Sequence, residues 1–266
     1  MRNLCFTLGY NLTSEIEKIM TLLYQQNKPE TFRHLVVDLE FPLEVGNVIP
    51  ADIRAAKHRN SKKLQALAKR FGSSYVKFEN IGVSQNWTQV YKFLKPTDDD
   101  VLIGCDPDEH PLNKDWVKAM GDVIRVGNYG LCSLMMTDHI DLMGNVPYTE
   151  KEVAGKRVYN AAAGSLNWAL IGISGKFLNK IKEIPFPAEA PRYGYIEACL
   201  YPKFQEYGMD WCVMADYQVR HTDFELHDPG TSSLLREWKN QIIFKVHQYG
   251  QLSFEEWLKM RRENRI

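Results

Sequence analysis

Two aspartates separated by a single proline follow an apolar run in the segment LIGCDPDEHP, residues 102–111. Because Pro107 restricts the backbone, Asp106 and Asp108 can be presented from one short loop. Neighbouring unpaired carboxylates raise each other's pKa, and a divalent cation removes that repulsion. Mg²⁺ and Mn²⁺ favour oxygen ligands together with substrate phosphates. The spacing indicates a site for a cation and a diphosphate; an ordinary acidic Asp-Pro turn is the alternative.

Strand-like and helical patterns alternate along the first hundred residues and place that loop. Four apolar runs predict strands, at 3–9, 34–41, 73–80 and 99–105. Helical spacing predicts three helices, one capped by Thr13 or Ser14, one from about 51 to 71 closed by Gly72, and one over 84–95. Such alternation favours a parallel sheet with helices on both faces, where ligands bind beyond the carboxyl ends of the strands. Asp106 and Asp108 are expected there.

Composition and charge are typical of an ordinary globular protein and exclude few functions. The chain has 266 residues, 44% apolar and 25% charged, enough for one large domain or one domain with an appendage. Lys+Arg and Asp+Glu balance at 33 each, so the total charge does not indicate nucleic acid, although a local basic patch can hide in a neutral total. No apolar stretch approaches the roughly 18 residues of a membrane span, which predicts a cytoplasmic protein.

The cysteines indicate neither zinc nor redox chemistry. They are odd in number, widely spaced and without a C-x-x-C pair. Buried free thiols in a reducing compartment are the simplest interpretation. The five are Cys5, Cys105, Cys132, Cys199 and Cys212.

Over roughly residues 1 to 225 the chain resembles the glycosyltransferase family 2 group of GT-A fold enzymes. FTLGYN, IEKIMTLLYQQ and LVVDLEF are similar to the first strand, first helix and second strand of that family, DDDVLIGCDPD to its D-x-D strand, and GVSQNW to its Ala-Arg-Asn segment. Leu8 and Leu39 stand where the family usually has a proline and a second aspartate. The resemblance implies donor-nucleotide contacts at Tyr10, Asn11, Asp38, Glu40, Asn86 and Asp106.

The most specific similarity lies in YIEACLYPKFQEYGMDWCVMADYQVRHTD. In the family, an acidic catalytic base opens a helix, a glycine ends it eleven residues later, and a histidine thirteen residues further helps to hold the metal. Glu197, Gly208 and His221 have those two spacings. The family's usual acidic pair is here Ile196-Glu197, and glutamate replaces the commoner aspartate.

The resemblance therefore implies a metal site and a catalytic base. Asp108 is the expected direct metal ligand, Asp106 lies near the ribose and diphosphate, and His221 completes the site. Imidazole suits Mn²⁺ better than Mg²⁺, so manganese is expected, with magnesium as the alternative. An inverting transfer needs one carboxylate to take the acceptor proton, and Glu197 near a helix start is kept ionised by the helix dipole. A plain first-turn acid is the alternative for Glu197.

The acceptor side and the C-terminal segment are less specific. Trp168, in a segment that resembles the one preceding the family's base, is expected to stack on an acceptor, with core packing as the alternative. Arg192 meets a phosphate or is an ordinary loop arginine. Apolar residues at helical spacing in 226–266 predict a C-terminal helical extension packed on the catalytic domain of residues 1–225, with self-association or acceptor contact as the alternative.

Together these features predict an α/β protein of GT-A type, Rossmann-like, with a mixed, mainly parallel central sheet flanked by helices. The expected activity is metal-dependent, inverting transfer from a nucleotide-diphosphate sugar to a hydroxyl of a glycan, lipid, protein or hydroxymethylated DNA base. A monomer or homodimer is expected. The alternatives are a catalytically silent binding scaffold and a phosphoryl-transfer enzyme that uses the D-x-D loop, although that class would place the loop after the first strand.

Overall fold

A computed structural model describes residues 1–9, 13–40, 51–80, 83–137, 148–161, 170–184 and 196–221. The predicted extension, 226–266, and the end of the predicted catalytic domain lie outside these ranges. The described strands are β1 (Asn3–Gly9), β2 (Arg33–Glu40), β3 (Ser74–Glu79), β4 (Val101–Gly104), β5 (Glu109–Pro111), β6 (Tyr129–Met136), β7 (Tyr148–Val153), β8 (Lys156–Ala161), β9 (Ile171–Ser174) and β10 (Asp210–His221). The described helices are α1 (Thr13–Gln26), α2 (Ala51–Phe71), α3 (Val83–Leu94), α4 (Trp116–Gly127), α5 (Gly175–Ile181) and α6 (Ile196–Glu206).

All of these strands belong to one mixed sheet. Its order is β3-β2-β1-β4-β9-β6-β10-β8-β7, and β5 pairs with the end of β10. Strands β3, β2, β1 and β4 are parallel neighbours, and β6 is parallel to β10. Because β9 runs antiparallel to both β4 and β6, all six of these strands point the same way. Their carboxyl ends therefore form one edge, called here the carboxyl edge.

Helices cover both faces of the sheet, which confirms the predicted α/β architecture. On one face, α1 and α4 bury apolar side chains that include Ile19 and Trp116. On the other face, α3, α5 and α6 contribute Trp87, Phe177 and Phe204. Burial of such aromatic side chains is the main stabilising contribution in a core of this kind. The four strands and three helices predicted within the first hundred residues agree with the structure to within two residues at each predicted end.

The four cysteines whose side chains the structure describes are buried free thiols, as predicted: Cys5, Cys105, Cys132 and Cys212. Cys199 lies in α6, but its side chain is outside the described ones. Among the described residues, no helix combines the length and the apolar character required to cross a bilayer.

A buried histidine in β2 links β1 to the residue that precedes β3. Nε2 of His34 lies 3.0 Å from Oγ1 of Thr7, and Nδ1 lies 2.9 Å from Oγ of Ser73. The ring is 5% exposed, and this burial lowers the pKa of His34 from its ordinary 6.5 to about 3. The folded protein therefore holds His34 neutral, whereas the unfolded chain takes up a proton below pH 6.5.

We expect this difference to make the fold sensitive to acid. The stabilisation from His34 is complete above pH 6.5 and is lost as the pH falls towards 3, at a cost of about 3 kcal/mol between pH 7 and pH 4. Urea unfolding of wild type and His34→Gln at pH 7 and pH 4 measures this loss of unfolding free energy. The variant should lose much less stability on acidification. His58→Gln, on the exposed side of α2, is the control. An equal loss in wild type and His34→Gln would contradict the expectation.

The neutral total charge hides a strongly basic helix. Helix α2 contains seven Lys or Arg residues and one acidic residue, Asp52. Among the described side chains of α2, the exposed ones include no large apolar residue, and the buried ones pack on α1 and β2. Within the described part of the chain, Arg59, Lys62, Lys63 and Lys69 form no ion pair. The exposed cations, called here the basic face, are Arg54, Arg59, Lys62, Lys63, Lys69 and Arg70.

Candidate functional site

The loop that carries the two aspartates starts beneath the indole ring of Trp87. A Cβ atom on Gly104, the last residue of β4, would lie only 2.3 Å from Cζ2 of Trp87, so glycine is needed there. Trp87 is buried and packs edge-on against Phe6, with ring centroids 4.5 Å apart. The N–H of Cys105 then donates to the carbonyl of Phe6 at 2.8 Å. These contacts fix the point at which the chain leaves the sheet.

Residues 106–109, called here the D-x-D turn, form a tight turn at the carboxyl edge. The N–H of Glu109 donates to the carbonyl of Asp106 at 3.1 Å, with Pro107 and Asp108 in the two central positions. Proline suits the first central position because its φ is already restricted to the value that a type I or II turn requires. The segment therefore forms the Asp-Pro turn, and both aspartates belong to that turn.

Burial makes the D-x-D turn electrostatically costly. Loss of hydration raises the pKa of Asp108 from 3.8 to about 6. Burial also raises the pKa of Glu109 well above its usual range, and the nearby charges of Asp106 and Asp108 add to this shift. The two aspartates of this turn, next to a buried acid, provide the carboxylate oxygens that a divalent cation would stabilise. The donor set therefore fits Mn²⁺ or Mg²⁺.

The backbone of His221 reaches the same turn through the pairing of β5 and β10. In that antiparallel pair, His221 lies opposite Glu109, the residue after Asp108. A register shift between Met214 and Gln218 interrupts the pairing of β10 with β6 before the strand reaches this point. Among the described side chains, no three His, Cys, Asp or Glu groups form a metal site. The side chain of His221 lies outside those described.

The predicted donor residue Asp38 lies at the carboxyl edge but is already paired within the protein. Nζ of Lys57 contacts Oδ1, and the hydroxyl of Tyr75 donates to Oδ2 at 2.6 Å. Asp38 and Lys57 are both buried. Burial, followed by the hydrogen bond to Asp38, raises the pKa of Tyr75. Sequence reasoning missed this pair because Lys57 occurs in a helix rich in Lys and Arg, where a solvated lysine is the usual expectation.

Two other predicted donor residues lie near the same edge. Glu40 ends β2 and forms an ion pair with Lys77. Asn86, in the first turns of α3, is buried and donates to Oδ1 of Asn80 at 3.0 Å. Tyr10 and Asn11 follow β1, whose carboxyl end is at this edge, but both lie outside the described residues.

Glu197 occupies the second position of α6, and Gly208 follows the helix with a φ of +61°, which suits glycine. At the other end of the helix, Phe204 covers Gly130 near the start of β6. The first turn of α6 is therefore directed towards the carboxyl edge. The side chain of Glu197 lies outside those described, as do the predicted acceptor residues Trp168 and Arg192 in full.

The structure also contains contacts that no sequence motif indicated. Glu109 is 3% exposed, and its Oε2 accepts a hydrogen bond from the N–H of Leu170, at the entrance to β9. In the next residue of β5, His110, Nε2 lies 4.0 Å from Oε2 of the buried Glu15. Glu109 and Pro111 are buried on either side of the half-buried His110, but a strand of three residues is too short for this alternation to be recognised in the sequence.

Comparisons with known proteins address the fold. No family model and no curated protein sequence matches the chain. Among solved structures, 214 chains match. One of them, a crystal structure of GalNAc-T7 with UDP, GalNAc and Mn²⁺, superposes with a TM-score of 0.55 and 12% sequence identity. The chain has a GT-A fold. The alignment covers 98% of this chain and 54% of that chain, so the chain spans about half the length of this neighbour.

The GT-A fold confirms the expected architecture. At 12% identity, the similarity extends to the fold alone.

Proposed function

We propose that this protein is a metal-dependent, inverting glycosyltransferase that moves a sugar from a nucleotide-diphosphate sugar to a hydroxyl acceptor. One observation carries the proposal: the D-x-D turn, the backbone of His221 and the ends of β1 and β2 share the carboxyl edge of a GT-A fold. Ligands of open α/β sheets bind at this edge. The fold similarity to a protein crystallised with UDP, GalNAc and Mn²⁺ supports the same class of donor.

Asp106, Asp108 and His221 are the proposed residues for the cation, Mn²⁺ or alternatively Mg²⁺. The cation, when bound, would stabilise the negative charge that develops on the leaving diphosphate. Within the chain, partial burial of the turn reduces the hydration of this charge, which strengthens the electrostatic contacts there. Proposed contacts to the nucleotide come from Tyr10, Asn11, Glu40 and Asn86, and from Asp38 together with its partners Lys57 and Tyr75.

Glu197 is the proposed catalytic base. Its carboxylate would take the proton from the acceptor hydroxyl while the hydroxyl oxygen bonds to the anomeric carbon and the bond to the diphosphate oxygen breaks. The proton remains on Glu197, and the leaving diphosphate takes the electron pair. Direct attack inverts the anomeric configuration. Trp168 and Arg192 are the proposed acceptor contacts.

Binding of UDP, used as a probe, tests the donor site without knowledge of the acceptor. Isothermal titration calorimetry is expected to show UDP binding in Mn²⁺ and at least tenfold weaker binding in EDTA. Binding without cleavage of any nucleotide sugar would favour the silent scaffold. Release of phosphate from a phosphorylated substrate, without sugar transfer, would favour the phosphoryl-transfer alternative, which the position of the turn after β4 already disfavours.

The basic face of α2 favours double-stranded DNA as the acceptor among the acceptors that the sequence leaves open. Like charges three or four residues apart destabilise a helix unless they meet a partner of opposite charge. Since the described side chains of α2 include no exposed large apolar group, this rigid row of cations suits a phosphate backbone better than an apolar membrane interior. A hydroxymethylated base would supply the hydroxyl.

We expect the chain to bind double-stranded DNA with an affinity that falls steeply as salt increases. Replacing Lys62 and Lys63 by glutamate should weaken binding about tenfold in a fluorescence anisotropy titration, since two phosphate contacts become repulsive. The same change at the exposed Lys92 and Lys95, on the side of α3, is the matched control and should alter binding by less than about twofold. Equal effects of both double variants would contradict a role for the basic face.

A further inference from the structure

Glu109 is a buried acid in the D-x-D turn that the proposed reaction does not use. Its carboxylate is 3% exposed and lies beside two other acids, a costly position that requires compensation. Within the described part of the chain it forms no ion pair. Its carboxylate accepts a hydrogen bond from the N–H of Leu170.

Leu170 has an unusual backbone conformation. Its φ is +45°, in the left-handed region that a branched side chain rarely adopts. The side chain is 1% exposed and packs in the core, so the strained conformation is held by its surroundings. The hydrogen bond from its N–H to Glu109 is one of the contacts that hold it.

The strand that follows cannot move to relieve this strain. Strand β9 pairs with β4 on one side and β6 on the other. A Cβ atom on Gly172 would lie 2.6 Å from Sδ of Met120, so α4 lies directly on this strand. With β9 fixed, the hydrogen bond from the N–H of Leu170 to Glu109 ties the start of β9 to the D-x-D turn.

Glu109 therefore connects three parts of the carboxyl edge. Its N–H closes the D-x-D turn on Asp106, its backbone lies opposite His221, and its carboxylate holds Leu170. We propose that Glu109 is a positioning residue that fixes the start of β9, at Leu170, relative to the D-x-D turn. This inference rests on the proposed function, because that turn carries the proposed cation ligands Asp106 and Asp108.

Amide hydrogen exchange of the full chain tests this role. In Glu109→Ala, exchange in peptides covering 168–174 should become at least tenfold faster, because the N–H of Leu170 loses its acceptor. In Glu109→Gln, the amide oxygen can accept the same hydrogen bond, so protection should return to within about threefold of wild type. Affinity for Mn²⁺ alone, measured by calorimetry, should stay within about threefold of wild type in Glu109→Gln, because the proposed ligands are other residues and the backbone N–H of Glu109 still closes the turn.

Asp100→Ala is the matched control. Asp100 is a buried carboxylate at the other end of β4 that also accepts backbone N–H groups, from Arg2 and Thr97. Its loss should leave exchange at 168–174 unchanged, which separates a local effect from general weakening of the sheet.

Three outcomes would overturn the proposal. They are unchanged exchange at 168–174 in Glu109→Ala, equally fast exchange throughout the sheet in that variant, and loss of Mn²⁺ affinity in Glu109→Gln with protection intact. If wild type binds no Mn²⁺, the proposed function fails, yet the exchange measurement still decides the role of Glu109.

Discussion

Asp108→Ala is expected to abolish measurable Mn²⁺ binding and to reduce cleavage of a nucleotide sugar by at least about 100-fold. Groups that merely support a metal ligand already contribute 10- to 100-fold, and Asp108 is the proposed ligand itself. Calorimetry with Mn²⁺ and a coupled assay for released UDP measure the two effects. Asp122→Ala, an exposed acid of α4 paired with Lys118, is the control and should behave as wild type.

Loss of activity in this variant should not come from unfolding. The pKa of Asp108 is raised to about 6, so its carboxyl stabilises the fold most below about pH 4 and this stabilisation is lost as the pH rises through 6. At pH 7.5 without metal, Asp108→Asn should therefore be at least as stable as wild type in thermal unfolding. Retained Mn²⁺ binding in a folded Asp108→Asn protein would contradict the assignment of Asp108.

Glu197→Gln is expected to reduce the rate of sugar transfer by about 10²- to 10⁴-fold, the usual contribution of a general base. Glutamine keeps the shape of the side chain but cannot accept the proton of the acceptor hydroxyl. Affinities for Mn²⁺ and UDP should remain within about threefold of wild type, since the cation is assigned to other residues. Steady-state kinetics with separate binding titrations distinguish the two effects.

Glu206→Gln is the matched control, at the other end of α6. Glu206 is exposed and paired with Lys203, so its change should leave transfer unaffected. Full transfer activity of Glu197→Gln would move the base to another residue. Proton NMR of the product tests the stereochemistry, and retention of the anomeric configuration would contradict direct attack.

The sequence was sufficient to predict the elements that repeat a simple pattern. Apolar runs and helical spacing located β1 to β4 and the three helices between them, because each buries one continuous face or stripe. The D-x-D turn was predictable because proline and aspartate favour a turn directly after a buried strand. Gly208 was identifiable at the end of α6, where its φ is positive.

Contacts between distant segments were not predictable. Lys57 and Asp38 are 19 residues apart, and Glu109 and Leu170 are 61 apart. Whether such groups meet depends on strand order and register, which a periodic pattern does not specify. The basic face was not predicted for a different reason: a total of 33 charges of each sign does not indicate where along the chain the charges lie.

Hydrolysis of a panel of nucleotide sugars by the wild-type chain, with Mn²⁺ and with EDTA, tests the central claim most directly. We expect at least one donor to be cleaved to a free sugar and a nucleoside diphosphate in Mn²⁺, and EDTA to suppress this cleavage. Absence of cleavage and of binding for every donor, or equal cleavage in EDTA, would contradict it.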